Sequence, residues 1–164
     1  MIIGIIGSGG REHSICLKIH ESKKTKKIYC FPGNAGTGEI AENIDIDTNN
    51  FEKLKNFINE KKIDLVIVGP EKPLVNGVVD FLQNNNIRVF GPNKIAAQLE
   101  GSKIFTKKIC EKNKIPPAKF GIFKNITQSN NFIENSNYPI VVKADGLASG
   151  KGVYICENKI QAKE

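Results

Sequence analysis

Arginine is nearly absent from this 164-residue sequence: Arg11 and Arg88 are the only two, so the formal net charge of +7 rests on lysine. Lysine lacks the planar fork that reads bases and phosphates bidentately, and its dominance argues against a nucleic-acid partner. The lysines gather in short groups such as Lys23, Lys24, Lys26 and Lys27, the pattern of solvated helix faces. Histidine is equally scarce. His13 and His20 have no partner at metal or triad spacing; His20 falls at an exposed helix end, and His13 stands at a helix start as a phosphate helper or a surface residue. The four cysteines, Cys16, Cys30, Cys110 and Cys156, form no C-x-x-C pair and lie in apolar stretches, as reduced core residues do. No apolar run reaches membrane-spanning length, and Met1 to Ile6 is too short for a secretory h-region and follows no basic segment. The expectations are no membrane and a cytoplasmic location.

What is present is periodicity. With 40% hydrophobic and 25% charged residues, the chain has enough apolar mass for one core and part of a second. Ile2 to Ile6 reads as a strand opening into Gly7-Ser8-Gly9-Gly10, after which Ile15, Cys16 and Ile19 supply a helical stripe. Ile28 to Phe31 is a second strand, ending in Pro32-Gly33-Asn34-Ala35-Gly36-Thr37, where glycines and proline argue against regular structure. Ile44 and Ile46 alternate as in a half-buried strand, and Phe51, Leu54, Phe57 and Ile58 return at helical spacing. Leu65 to Val68 is the most strand-like run, followed by one helical face through Leu74, Val75, Val78, Val79 and Leu82, and by a last strand at Arg88 to Phe90.

Strands alternating with helices require a parallel sheet covered on both faces, because parallel strands need long crossovers. Residues 1–101 therefore read as a Rossmann-like α/β domain. Residues 102–164 read as a linker helix, Ser102 to Lys114, a stiff break at Pro116-Pro117, and the start of an α+β lobe. That lobe has a helix at Thr127 to Glu134, strands at Ile140 to Lys143 and Val153 to Cys156, and a glycine loop between them. The closing segment Lys159 to Glu164 looks like the first turn of a helix with nothing yet to pack against, as in a portion of a longer chain. There is no internal repeat, and the richness in asparagine and lysine forms no low-complexity tract.

In an open parallel sheet, ligands bind beyond the carboxyl ends of the strands, so the loops after the first, second and fourth strands should converge on one crevice. Gly7, Ser8, Gly9 and Gly10 would present backbone amides at a helix start, with Arg11 beside them, and suit a phosphate. Gly33 allows close approach, and Asn34 and Thr37 offer hydrogen bonds. Pro70 and Glu71 close the third loop, where the carboxylate would hold sugar hydroxyls or an amine. The dinucleotide pattern G-x-G-x-x-G fails at Glu12, and no acid ends the second strand, so a phosphorylated sugar fits better than NAD. Further on, Lys143 and Lys151 flank a loop containing Gly146, Ser149, Gly150 and Gly152. The spacing is not that of a Walker A loop, yet glycine amides with two ammonium groups suit a polyphosphate beneath a lid.

Taken together, Gly7-Ser8-Gly9-Gly10-Arg11-Glu12-His13, Pro32-Gly33-Asn34-Ala35-Gly36-Thr37, Val68-Gly69-Pro70-Glu71, Leu99-Glu100-Gly101-Ser102-Lys103 with Phe105-Thr106-Lys107, and Lys143-Ala144-Asp145-Gly146-Leu147-Ala148-Ser149-Gly150-Lys151-Gly152-Val153 resemble the phosphoribosylamine–glycine ligase family in order and spacing. The resemblance implies a pre-ATP-grasp domain followed by the beginning of an ATP-grasp module. It implies ATP phosphate ligands at Lys103 and Lys143, and a mobile loop from Gly146 to Gly152. The implied substrates are ATP, glycine and 5-phosphoribosylamine, joined through a glycyl phosphate to give ADP, phosphate and glycinamide ribonucleotide in purine synthesis. Lys143 and Lys151 would be catalytic, offsetting charge on the transferring phosphoryl group, with the sugar phosphate held by the first-domain loops. Mg²⁺ or Mn²⁺ would be held by residues beyond Glu164, in a missing C-terminal part without which the chain does not complete the reaction. The other readings are a noncatalytic phosphometabolite-binding module, a nicotinamide-dependent oxidoreductase, and another ATP-grasp ligase of purine synthesis such as a formate-dependent transformylase.

Overall fold

The computed structural model describes residues 1–148 and 150–164, and the chain divides into two compact units, Met1–Gln98 and Leu99–Glu164. The first is an α/β unit around a five-stranded parallel sheet of order β3-β2-β1-β4-β5. Its strands are β1 (Ile2–Gly7), β2 (Lys27–Pro32), β3 (Glu42–Asn43), β4 (Leu65–Val68) and β5 (Val89–Phe90). Helices α1 (Gly10–His20), α2 (Ala35–Gly38), α3 (Phe51–Glu60), α4 (Glu71–Asn76) and α5 (Val78–Asn84) connect them, and α6 (Lys94–Gly101) follows.

The period of two along each central strand divides the core between the two sheet faces. Ile3 and Ile5 of β1 and Ile28 and Cys30 of β2 pack with Cys16 of α1 on one face. Ile6, Phe31, Val66 and Val68 pack with Leu54 and Ile58 of α3 and Val78, Val79 and Leu82 of α5 on the other. Phe31, Leu54, Val78 and Leu82 are fully buried, each worth about 1.5–3 kcal/mol by apolar transfer. The Cys16 and Cys30 thiols approach to 3.9 Å as unoxidised neighbours in this packing.

The structure corrects three local expectations. The third strand lies at Glu42–Asn43, two residues upstream of the alternating Ile44 and Ile46, because an edge strand needs only backbone partners while those side chains insert into the core. The segment after Pro32 holds a one-turn helix, α2, because the Asn34 side chain caps it by accepting the Thr37 N–H at 3.0 Å. The single helical face from Leu74 to Leu82 is two helices, broken where Gly77 adopts φ +94°. Asparagine also has a job that composition hides. Asn50 caps α3, and Asn93 accepts the Ala96 N–H in the first turn of α6.

The second unit contains α7 (Lys103–Lys112), α8 (Ile126–Glu134), β6 (Ile140–Lys143), β7 (Val153–Cys156) and α9 (Lys159–Lys163). Strands β6 and β7 form an antiparallel hairpin in which Lys143 opposes Val153. Asn125 and Asn158 cap α8 and α9. Contrary to expectation, α9 has a neighbour: Glu134 of α8 pairs with Lys159 at 3.2 Å and with Lys163. Burial here is thin. Ile133 and Cys156 are buried, whereas Val141, Tyr154, Ile155 and Ile160 stand exposed.

Candidate functional site

The order of the first sheet places its topological switch point between β1 and β4, since the chain leaves β1 in one direction for β2 and β3 and returns on the other side for β4 and β5. Ligands in open parallel sheets collect outside the carboxyl ends at such a point. The loops after β1, β2 and β4 meet there, laced by backbone bonds from Gly33 N–H to the Gly7 carbonyl at 3.2 Å and from Gly69 N–H to the Ile6 carbonyl at 3.1 Å. Gly7 and Gly33 adopt φ of +132° and +76°, which glycine alone adopts without strain. Ser8, Gly9 and Gly10 are exposed, and α1 begins at Gly10, so the bend opens outward at a helix N-terminus.

The amide of Gly9 is already taken, however. It donates to Glu12 Oε2 at 2.7 Å, and Glu12 is only 3% exposed. By spacing, Glu12 is only the residue at which a glycine pattern fails; in space its carboxylate fills the junction of the β1 and β4 loops. Arg11, expected to supplement phosphate binding, reaches across to Glu71, with Nη2 2.7 Å from Oε1. The Glu71 amide and the Arg11 guanidinium hold the Glu71 carboxyl below its ordinary range, so at neutral pH it is an anionic acceptor. Pro70 sits in extended backbone immediately before α4 and carries Glu71 into the first turn of that helix.

Two residues of the middle loop serve the loop itself. Thr37 is completely buried: its hydroxyl accepts the Asn34 N–H at 2.7 Å and donates to Asn43 Oδ1 at 2.8 Å. The expectation that Thr37 offers a hydrogen bond to a ligand is therefore corrected, because burial and its internal partners consume the hydroxyl. Asn34 donates through Nδ2 to the Ser8 and Gly9 carbonyls at 2.9 and 3.3 Å, tying the β2 loop to the β1 bend. His13 is not a plain surface residue. Its half-buried ring lies against Gly36, where a Cβ would come within 2.3 Å of Cε1.

In the second unit, the glycine loop is anchored to the start of α7. The Ser102 hydroxyl caps α7 by accepting the Phe105 N–H at 3.1 Å and donates to the Asp145 carboxylate at 3.0 Å. Asp145 also accepts the Ile104 N–H at 3.2 Å, and Lys103 Nζ donates to the Gly146 carbonyl at 2.9 Å. Lys103 and the loop are thus brought together, with the ammonium on a carbonyl of the loop. Lys143 and Lys151 are both exposed at the hairpin. Gly146 and Gly150, at φ +91° and +79°, have open space where side chains would stand, while Gly152 is buried against Ala148 and Ala144. Ser149 lies outside the described residues. Among the described residues, no cluster of three histidine, cysteine or acidic side chains could hold a metal ion, and no helix is long and apolar enough to cross a membrane.

A concavity of about 440 Å³ lies elsewhere, beside the start of β2, lined by Thr25, Lys26, Lys27, Glu39 and Glu42 among others. Lys27 and Glu42 pair across it at 2.9 Å, so its charge is compensated, and the loops at the carboxyl ends are the better site.

Comparison with known proteins sharpens this geometry. Residues 1–100 match the family model for the phosphoribosylglycinamide synthetase N domain, and residues 101–164 match that for its ATP-grasp (A) domain. The chain is 48% identical over all 164 residues to a phosphoribosylamine–glycine ligase of Caldanaerobacter subterraneus subsp. tengcongensis, covering 39% of that protein. A crystal structure of phosphoribosylamine–glycine ligase from Thermotoga maritima aligns with 99% of this chain and 38% of its own, at a TM-score of 0.77 and 33% identity. The biotin carboxylase domain of a Hydrogenobacter thermophilus 2-oxoglutarate carboxylase, solved with MgADP, aligns with 97% of this chain and 38% of its own. Its TM-score of 0.75 at 17% identity shows a shared fold alone. The chain thus spans well under half the length of these relatives.

Proposed function

This chain belongs to the phosphoribosylglycinamide synthetase family, and from that premise we propose that it supplies the N-terminal part of a phosphoribosylamine–glycine ligase. The reaction joins glycine to 5-phosphoribosylamine at the expense of ATP, through a glycyl phosphate, in purine synthesis in the cytoplasm. A carboxylate is a poor electrophile, and phosphorylation gives it a leaving group that the sugar amine can displace.

The observation that carries this reading is the hairpin of the second unit. Lys143 and Lys151 stand exposed at a glycine loop whose Gly146 and Gly150 leave their surroundings open. That combination fits the phosphates of a nucleotide: ammonium groups offset charge on the transferring group, and the open glycine positions let backbone approach closely. Lys103, at the start of α7, adds a third cation at the same loop. In the first unit, exposed Ser8 and Gly10, together with Arg11 and Glu71, are the groups at the carboxyl ends of the sheet that would receive phosphoribosylamine. Mg²⁺ or Mn²⁺ would supply charge compensation to the nucleotide phosphates, and on this reading its ligands lie in polypeptide beyond residue 164.

The test uses a polypeptide that continues this chain to the length of its relatives. ADP release should depend on both glycine and phosphoribosylamine, and K143A and K151A should each lower kcat roughly a hundredfold, the scale of losing one charge-stabilising donor. ADP release indifferent to glycine, or unchanged turnover in both variants, would overturn the assignment. The 164-residue chain alone should bind ATP and show no glycine-dependent turnover.

A further inference from the structure

Glu12 is unusual in being a buried acidic side chain that is only half-partnered. Oε2 accepts the Gly9 N–H at 2.7 Å, whereas Oε1 is the buried side-chain polar atom left without a hydrogen bond among the described residues; its nearest cation is Arg11 Nε at 4.0 Å. Three glycines from the ends of two strands wall it in. A Cβ would fall 2.5 Å from Glu12 Cγ if built on Gly7, 2.9 Å from Oε2 on Gly9, and 2.0 Å from Oε1 on Gly69. In open parallel sheets this is the position where a ligand's phosphates rest on the amides of the first glycine bend.

We propose that Glu12 is a specificity-determining residue: a resident carboxylate that takes the Gly9 amide and the space between the β1 and β4 ends, and so closes that crevice to a diphosphate. Three effects act together. The amide that would bind an incoming oxygen is spent, the glycine-lined space is filled, and a second anion would have to sit beside a carboxylate shielded from water. Arg11 is shared between two acids, with Nη2 2.7 Å from Glu71 Oε1 and Nε 4.0 Å from Glu12 Oε1. A glycine in place of Glu12 would complete the G-x-G-x-x-G pattern that starts at Gly7 and Gly9, leaving the bend, the start of α1 and the Arg11 guanidinium around an open pocket. This goes beyond the ligase reading and does not depend on it.

The test is calorimetric titration with inorganic pyrophosphate at fixed ionic strength of the 164-residue chain carrying K143A and K151A, which remove the exposed hairpin cations, comparing wild-type Glu12 with E12G and E12S in that background. A hydrogen bond involving a charged group corresponds to roughly a tenfold to hundredfold change in binding. With Glu12 in place this background should show no binding at millimolar pyrophosphate, and E12G and E12S should gain at least about tenfold. Two small replacements of different helix propensity are used so that loss of folding in one, read by thermal melting, leaves the other to decide. Variants that melt cooperatively yet bind pyrophosphate no better than wild type, or a wild type that binds it equally well, would overturn the proposal.

Discussion

Replacing Gly69 by alanine places one methyl group against the buried Glu12 carboxylate. The new carbon would lie 2.0 Å from Oε1, 2.6 Å from Cδ and 2.7 Å from Cγ, against the ~3.5–4.0 Å at which carbon contacts are favourable. Gly69 is not among the glycines with positive φ, so the backbone accepts alanine and space alone decides. Either the β4 loop shifts, at the cost of about 1–3 kcal/mol typical of overpacking, or Glu12 is expelled and gives up its bond to the Gly9 amide. Hydrogen bonds to charged groups contribute about 1.5–3 kcal/mol, offset in part because the unpartnered Oε1 regains water. Both routes lead to about 1–3 kcal/mol. For a unit of this size that corresponds to roughly 5–20 °C in Tm, read by circular dichroism and urea titration at pH 7. The decisive control is an E12A background. With the carboxylate gone the methyl has room, and G69A should cost less than about 0.5 kcal/mol there, leaving a coupling of about 1 kcal/mol or more in the double-mutant cycle. A G69A variant within about 0.5 kcal/mol of wild type, or one with the same cost in both backgrounds, would show that Glu12 and Gly69 do not meet as described.

Other perturbations report on other contacts. T37V keeps the shape of a fully buried side chain but leaves the Asn34 N–H without its acceptor, and should cost about 1–3 kcal/mol in urea titration. Burial opposes the charge on Asp145, but the Ile104 amide, the Ser102 hydroxyl and the Gly146 and Lys103 amides outweigh it, holding its carboxyl below the ordinary value of 3.8. A depressed folded value means that the tie between the glycine loop and α7 is complete above that ordinary value and is lost as pH falls through the folded one. D145N should therefore show at pH 7 the same shifts in the Ile104 amide resonance that wild type shows only in acid. Burial, reinforced by the neighbouring Cys16, pushes the Cys30 thiol up to about 12. At pH 8 iodoacetamide should label the partly exposed Cys110 well before Cys30, and equal rates in the folded chain would contradict the core packing.

The sheet was legible because its signal is local. Ile2 to Ile6, Ile28 to Phe31 and Leu65 to Val68 carry apolar runs that the parallel arrangement buries on both faces, and the helical stripes of α1, α3 and α5 repeat at their own period. Boundaries failed where a single side chain or glycine decides them. Gly77 splits a continuous apolar face, and Asn34 makes a turn of helix out of a segment dense in glycine. Five asparagines at helix starts, Asn34, Asn50, Asn93, Asn125 and Asn158, were readable in principle, since each immediately precedes a helix whose early amide its side chain accepts.

The acids of the two glycine loops were not legible, and they change what glycine content means. Glu12 is defined by Gly69, far along the chain, and Asp145 by Ser102 and Ile104, so neither spacing nor motif exposes them. In both units a carboxylate of the chain itself occupies amides near the start of a helix: Glu12 takes Gly9 ahead of α1, and Asp145 takes Ile104 in the first turn of α7. Counting glycines and amides therefore overstates the affinity of such a loop for an external anion, and the internal acids must be subtracted first. At the hairpin the subtraction leaves Lys143, Lys151 and the open Gly146 and Gly150, the groups on which the proposed polyphosphate site rests. At the β1–β4 crevice it leaves Arg11 shared with Glu71 and one fewer amide, a site balanced between donors and acceptors. That balance suits a sugar carrying hydroxyls and an amine, and it disfavours a second polyphosphate.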